Sequence, residues 1–176
     1  MPRVPDIIIE DGEIKFRNFS GNPDKNYNGS NTRTVTFVIP KEKKDDLLAD
    51  GWNVRAYIPK SDPDAEPTYI LEATIAYKTK NGVKKDPGIF IVKPTGLLHV
   101  DEDMVDTLDG KDILKVDAVL GASYWEQGNR HGIRPYVNKL YITIRENPIE
   151  EKYDRYLRNI NDSMFSSDGD LPFPME

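Results

Sequence analysis

Residues 113–144, ILKVDAVLGASYWEQGNRHGIRPYVNKLYITI, carry the strongest secondary-structure signal in the chain. Two runs rich in β-branched and aromatic residues, Ile113–Tyr124 and Ile133–Ile144, flank a polar segment that contains glycines. Such runs are typical of strands, and the polar glycine-containing segment between them is typical of a turn. The stretch therefore predicts a long antiparallel hairpin with a basic tip over residues 126–132, in a mostly β protein.

Shorter strand candidates precede this hairpin. Ile7–Ile9 and Ile14–Arg17 flank a turn predicted at Asp11-Gly12. Arg33–Ile39 alternates between apolar and polar residues and therefore predicts a strand, with Val35, Phe37 and Ile39 on one face and Thr34 and Thr36 on the other. The remaining strand candidates are Trp52–Ile58, Tyr69–Lys78 and Ile89–Val92, with a turn at Asn81-Gly82 before the last of them.

Helical signals are few. Lys41–Asp50 follows a proline and stops at Gly51, Asp101 can cap a short helix, and Pro148 can start a third. After that helix, residues 159–176 are polar and aperiodic, and we expect a disordered acidic tail. The chain is thus predicted to comprise a folded domain over residues 1–158 and a tail over 159–176. The folded domain is a small, mostly antiparallel β-domain that forms a barrel or a sandwich.

Composition excludes several classes of protein. The chain has 176 residues, of which 38% are hydrophobic and 31% charged, which suits one soluble domain. No apolar run is long enough for a membrane span, and the first residues do not look like a secretory signal. The absence of cysteine excludes disulfides, thiolate nucleophiles and Cys-type zinc sites. We expect a cytoplasmic protein.

The net charge of −6 conceals an uneven distribution. Residues 159–176 hold four of the 30 acidic side chains and no Lys or Arg, so residues 1–158 carry 24 basic side chains against 26 acidic ones. A second acidic block spans residues 101–112. Basic clusters occur at Lys78, Lys80, Lys84, Lys85 and Lys93, and again at Arg130, Arg134, Lys139 and Arg145. The total charge therefore does not exclude a nucleic-acid partner.

Motifs for catalysis are missing. The sequence has no glycine-rich phosphate-binding loop, and neither His99 nor His131 has neighbours at metal-ligand spacing. Asp101, Glu102 and Asp103 could bind a cation, but helix capping explains three acids at a helix start. Asp117 lies within an apolar strand and could be a functional carboxylate. A residue with a hydrogen-bond or ionic partner, or one that faces outward, explains it better. We predict a non-enzymatic protein with no cofactor and no metal.

Aromatic residues interleaved with cations are the remaining functional signal. Aromatic rings stack on bases of any identity, while Lys and Arg neutralise phosphates, and this combination is typical of single-strand binders. Arg134 and Tyr136 share one predicted strand face and Lys139 the other, so they compete as ligand contacts. The predicted DNA-binding residues are Arg17, Phe19, Arg33, Lys78, Lys93, Tyr124, Trp125, Arg130, Arg134 and Tyr136.

The tail ends in a motif with a separate role. Asp168-Gly169-Asp170-Leu171-Pro172-Phe173 resembles the acidic tip of bacterial single-stranded DNA-binding proteins, which docks replication and repair partners. That resemblance implies protein-docking roles for Asp168, Asp170, Leu171, Pro172 and Phe173. The motif departs from the bacterial pattern because Pro174-Met175-Glu176 follow the phenylalanine. Alternatively, Leu171–Phe173 folds back onto the body.

Blocks within the body resemble phage-encoded single-stranded DNA-binding proteins. These blocks are Ile14–Gly21, Asp50–Val54, Tyr124-Trp125, and Tyr141–Ile144 followed by Glu150–Tyr153. The resemblance implies an OB-fold barrel that coats single strands without sequence specificity during phage replication or recombination. It also implies the host cytoplasm, partner proteins and a possible homo-oligomer. The alternatives are a β-barrel interaction or virion-assembly protein without DNA affinity, and a metal-dependent nuclease using Asp101, Glu102 and Asp103.

Overall fold

The computed structural model describes residues 3–26 and 29–145, together with Ile149, Lys152 and Tyr153. Within these residues the chain is mostly β, as predicted. The strands are β1 Ile7–Gly12, β2 Ile14–Asn18, β3 Arg33–Ile39, β4 Arg55–Tyr57, β5 Thr68–Ile75, β6 Ile89–Lys93, β7 Gly96–Val100, β8 Ile113–Gln127 and β9 Arg130–Ile144. The α-helices are α1 Lys41–Asp50 and α2 Glu102–Val105, and 3₁₀ helices span Pro23–Lys25 and Asp106–Gly110.

Three predicted features lie largely or wholly outside the described residues. They are the helix that starts at Pro148, the tail over residues 159–176, and the docking tip within that tail. The predictions for these segments remain predictions.

The strands form a partly open barrel. The main hydrogen-bonded order is β1-β8-β9-β5-β3-β2, and this ladder is not closed. Its two end strands are consecutive in the chain and are joined through Glu13, so residues 7–18 pair with β8 first and with β3 afterwards. A five-segment ring of this kind, with a helix before the last hairpin, is the OB-fold arrangement. The predicted OB-fold-like barrel is confirmed.

Most strand pairs are antiparallel, as predicted, while β9 runs parallel to β5 and to β6. One detail of the strand predictions is wrong. Asp11-Gly12 is not a turn, because β1 continues through both residues. The register shifts between Ile9 and Gly12 and again between Lys15 and Asn18, so the chain bends through irregularities in one continuous segment. A glycine-containing bulge and a glycine-containing turn look alike in sequence.

The hairpin has longer arms and a shorter tip than predicted. β8 and β9 pair as far as Gln127 and Arg130, so the turn is only Gly128-Asn129. The register shifts where Val119 faces Lys139 and Leu120 faces Val137, which leaves Asn138 as an extra residue. Such a bulge reverses the alternation of side chains beyond it.

This bulge removes the predicted conflict between Lys139 and Tyr136. Val137 and Leu140 are both buried, whereas Asn138 and Lys139 are both exposed. Lys139 therefore lies on the outer face together with Tyr136, and the two residues do not compete.

The barrel encloses one core that α2 and the following 3₁₀ helix help to close. Phe37, Leu71 and Leu140 from the strands are fully buried, as are Val105 and Leu108 from the helical segment. Burying each side chain of this size stabilises the fold by about 1.5–3 kcal/mol. Trp52 packs into the same core from the segment after α1.

Asp109 fastens the exit of β2 to the helical segment. One carboxylate oxygen accepts from the backbone N–H of Phe19 at 2.7 Å, and the other accepts from Ser20 Oγ at 2.6 Å and from Ser20 N–H at 3.1 Å. Burial alone would raise the pKa of Asp109. These hydrogen bonds and Lys25, whose Nζ lies 3.6 Å away, outweigh burial and hold the pKa below its ordinary value of 3.8.

We expect Asp109→Asn to destabilise the fold by about 1–3 kcal/mol, because the variant loses the charge that these donors stabilise. In the wild type, the Asp109 carboxylate contributes its full stabilisation of the fold above the ordinary carboxyl pKa. This stabilisation is lost as the pH falls through the lowered pKa of Asp109. Urea unfolding across an acidic pH series should therefore show a smaller acid loss in the variant. The control is Asp112→Asn, which removes a 64%-exposed carboxylate paired with Arg145 at 3.2 Å and should change little. Equal losses in both variants would contradict this role.

Candidate nucleic-acid interface

An open groove of about 770 Å³ lies between the loop after β5 and the β8–β9 hairpin. Gly121 and Ser123 line it from β8, and Tyr136 lines it from β9. The charged residues that line it are Arg3, Lys78, Lys80 and Lys85 against Asp6. The groove thus joins an aromatic ring to an excess of positive charge, which suits a polyanion with flat bases.

The lysines of this groove are held in place by a tight turn. Lys78 and Lys84 face each other across an isolated antiparallel bridge, and Thr79 accepts a backbone hydrogen bond from Gly82 at 3.0 Å. The predicted turn at Asn81-Gly82 is confirmed. Like charges placed opposite each other destabilise a strand pair. A bound phosphate would relieve this repulsion.

Tyr136 forms a cation–π contact within the protein. The Nζ of Lys85 lies 5.3 Å from the centre of the Tyr136 ring, and Lys85 N–H donates to the Tyr77 carbonyl oxygen at 2.8 Å. The backbone contact fixes where the lysine leaves the loop. The Tyr136 ring and the Lys85 ammonium group therefore lie side by side at the groove.

Trp125 and Arg134 extend this surface toward the hairpin tip. Cross-strand pairing places Gly121 opposite Tyr136, Ser123 opposite Arg134, and Trp125 opposite Gly132. Since alternate residues share a face, these pairs form one outward row. Trp125 is 39% exposed, and with Arg134 and Arg55 it lines a second groove.

A third groove surrounds the tip itself. Arg130, His131 and Asn129 line it from the hairpin, and Leu48 and Gly51 line it from the end of α1. Trp125 lines this groove as well as the second one. The indole ring is therefore a shared wall between the two.

Tyr124 lies near the row but on the other strand face. It pairs with Ile133, lines the first groove and is 38% exposed. Its hydroxyl oxygen accepts from the backbone N–H of Val4 at 2.6 Å. Tyr124 thus ties the segment before β1 to the hairpin.

Four of the ten predicted DNA-binding residues lie outside these grooves. Phe19 is completely buried, and Arg17 donates to the carbonyl oxygens of Leu108 and Lys111. Arg33 forms an ion pair with Asp106 at 3.2 Å, and Lys93 lies at the end of β6. The six that line the grooves are Lys78, Tyr124, Trp125, Arg130, Arg134 and Tyr136.

Several exposed candidates were not predicted from the sequence as DNA contacts. Lys85 belongs to a recognisable lysine cluster, which is the signal that would identify it. Arg55 has no such signal. Phe16 looks like a core residue in an alternating strand, yet it is 54% exposed because the strand is irregular there.

Asp101, the first residue of the acidic block, has a structural role. Asp101 Oδ1 accepts from Met104 N–H at 3.0 Å and caps α2, as its position predicts. Asp117 accepts from the backbone N–H of Asp11 at 2.8 Å, and His99 contacts Asp86 at 2.9 Å. Residues 3–26 and 29–145 contain no group of three or more His, Asp or Glu side chains arranged to hold a metal ion.

The helices of the described segments were compared with the length and hydropathy of a membrane span. Neither α1 nor α2 has the length and apolar character needed to cross a bilayer.

Comparison with known proteins shows the family. The family model of the phage single-stranded DNA-binding domain matches residues 1–172. The chain belongs to this family. Family membership makes it a phage-type single-stranded DNA-binding protein, and single-stranded DNA is its partner class.

One solved structure shows a similar fold. The C-terminally truncated single-stranded DNA-binding protein from bacteriophage Enc34 is similar over 81% of this chain and 87% of its own, with 10% identity and a TM-score of 0.50. Another structure of the Enc34 protein is similar over 81% of this chain and 83% of its own, with 10% identity and a TM-score of 0.43. A search of curated proteins finds no match.

We expect Gly132→Ala to displace the Trp125 ring. A Cβ added at Gly132 would lie 2.9 Å from two atoms of the indole, so the ring must shift. Tryptophan emission should report this change, because Trp52 is 2% exposed and provides a constant background. Gly110→Ala is the control, since a Cβ there meets nothing within 4 Å. Identical spectra for the two variants would contradict the predicted contact.

Proposed function

We propose that this family member coats single-stranded DNA without sequence preference, with the strand following the outer row of the hairpin. Bases stack on Tyr136 and Trp125, while Lys78, Lys85 and Arg134 contact phosphates. The observation that carries this proposal is the outward row of Tyr136, Arg134 and Trp125 beside the lysine turn. Stacking accounts for about 1–3 kcal/mol per base and accepts any base.

Single strands fit this surface better than a duplex does. The faces of paired bases are covered by their neighbours in a duplex, so rings on a sheet surface reach them only after unstacking. The grooves also lack a motif that inserts a helix into a major groove. We therefore propose that affinity comes from stacking and from phosphate contacts.

The proposal also includes a biological setting, which the sequence and the family support. We propose a non-catalytic role in phage DNA replication or recombination within the host cytoplasm. The tip Asp168–Phe173 is proposed to recruit replication or recombination proteins, because an acidic peptide with a Leu-Pro-Phe anchor suits a basic, apolar pocket. A homo-oligomer is compatible with this role.

The first test of the groove is a salt series on oligo(dT). We expect Lys78→Gln and Lys85→Gln each to reduce the slope of log affinity against log salt by about 0.7, since each removes one phosphate contact to a single strand. Tyr136→Ala should weaken binding about 5- to 150-fold at every salt concentration and leave the slope unchanged. Fluorescence anisotropy measures both quantities.

Lys93→Gln is the matched control, because Lys93 lies at the end of β6 outside the three grooves. It should bind like the wild type. Absence of oligo(dT) binding at low salt would favour the interaction or virion-assembly alternative. Equal affinity for duplex DNA would contradict the stacking mechanism.

The acidic tail is expected to compete with DNA for the basic grooves. Deletion of residues 159–176 removes four carboxylate side chains and no Lys or Arg. The truncated chain should therefore bind oligo(dT) more tightly at low salt, with a difference that shrinks as salt screens the tail. Unchanged affinity in the same anisotropy titration would exclude this competition.

A further inference from the structure

Phe16 and Tyr57 form an aromatic pair on the outer surface of the barrel. Phe16 is 54% exposed, and its ring centre lies 4.9 Å from that of Tyr57. The rings meet edge to face at 76°. An edge-to-face pair leaves at least one ring face uncovered by its partner. This surface lies outside the three grooves described above.

The backbone at Phe16 is held in a conformation that its side chain disfavours. Its φ is +50°, in the left-handed region that bulky residues rarely adopt. The strand register breaks here, between Lys15 and Asn18. Irregularities of this kind change the direction of side chains and are frequent beside functional sites. Backbone strain is tolerated at such sites because it holds a required geometry.

The irregularity sends neighbouring side chains in different directions. Ile14 packs against the core and Asn18 is buried, whereas the Phe16 ring turns outward. Arg17 reaches back to the carbonyl oxygens of Leu108 and Lys111. These anchors on both sides hold Phe16 in its exposed position.

Arg55 connects this pair to the proposed DNA path. Arg55 and Tyr57 are two residues apart on β4, so their side chains share a face. Arg55 also lines the second groove together with Trp125 and Arg134. It forms no ion pair with the described part of the chain, which leaves its charge for an external anion.

We propose that Phe16 and Tyr57 form an additional stacking site for a nucleobase, with Arg55 contacting a phosphate between this site and Trp125. The inference rests on the proposed function, since it extends the same strand beyond the hairpin. Exposed rings next to an unpaired guanidinium suit a nucleotide, which presents a flat base beside an anionic linkage. The site requires a strand long enough to reach across β4.

The test is a length series of oligo(dT) covering the roughly 4–16 nucleotides that one OB domain occupies. Phe16→Ala should weaken binding of the longest oligonucleotides about 5- to 150-fold and leave the shortest unchanged. Tyr136→Ala should weaken all lengths. Leu114→Ala, which removes a 50%-exposed apolar side chain on β8, controls for loss of surface area.

The backbone conformation provides a check that the variants fold. Phe16→Gly also removes the ring but accepts a positive φ, so it should melt at a higher temperature than Phe16→Ala. Both should lose the same affinity for long oligonucleotides. Loss of binding in Phe16→Ala alone would show a folding defect and overturn the stacking site.

The possible failures are distinguishable. If Tyr136→Ala weakens binding while Phe16→Ala and Phe16→Gly bind every length like the wild type, the additional site is overturned and the proposed function stands. If the wild type binds no oligonucleotide of the series, the proposed function itself fails.

Discussion

The extra residue Asn138 in the β8–β9 hairpin determines both the barrel and its outer surface. Before it, Tyr136 pairs with Thr74 of β5; after it, Leu140 pairs with Ile89 of β6. The bulge therefore lies where β9 exchanges one parallel neighbour for another. The close approach of the Asn138 side chain also requires Gly121, because a Cβ there would overlap its amide. The register shift at Asn138 therefore determines both which hairpin side chains pack in the core and which form the outward row.

Residues 7–18 make the second adjustment on which barrel closure depends. One segment pairs with β8 and then with β3, so it must bend, and positive φ values occur at Asp11 and Phe16. A glycine at residue 16 would accept this conformation more easily. The chain instead carries a phenylalanine whose ring faces solvent, so the bend that completes the barrel also presents an aromatic surface. Asp109 holds the end of the same segment in place.

The features that were predictable from the sequence are those set by local signals. The hairpin arms, the alternation of β3 and helix α1 follow from short-range periodicity, from β-branched content and from the Gly51 stop. Phe19 is predicted to contact DNA, yet it is completely buried, whereas Phe16 is 54% exposed. The strand register is irregular between Lys15 and Asn18, so a simple alternation of side chains does not hold there. The role of Arg17 depends on carbonyl groups more than 90 positions away, which no local pattern reveals.

The chain has a net charge of −6 and belongs to a DNA-binding family, and the uneven distribution of its charges explains how both can hold. At physiological ionic strength, exposed charges are screened beyond about 8 Å, so a phosphate responds to its near neighbours rather than to the total. Lys78 and Lys85 line the first groove beside Tyr136, but they also line a neighbouring groove with Asp101, Glu102 and Asp103. The lysine turn thus separates a basic surface from an acidic one. The acidic side chains Asp101, Glu102 and Asp103 therefore lie outside the groove that is proposed to hold the DNA strand.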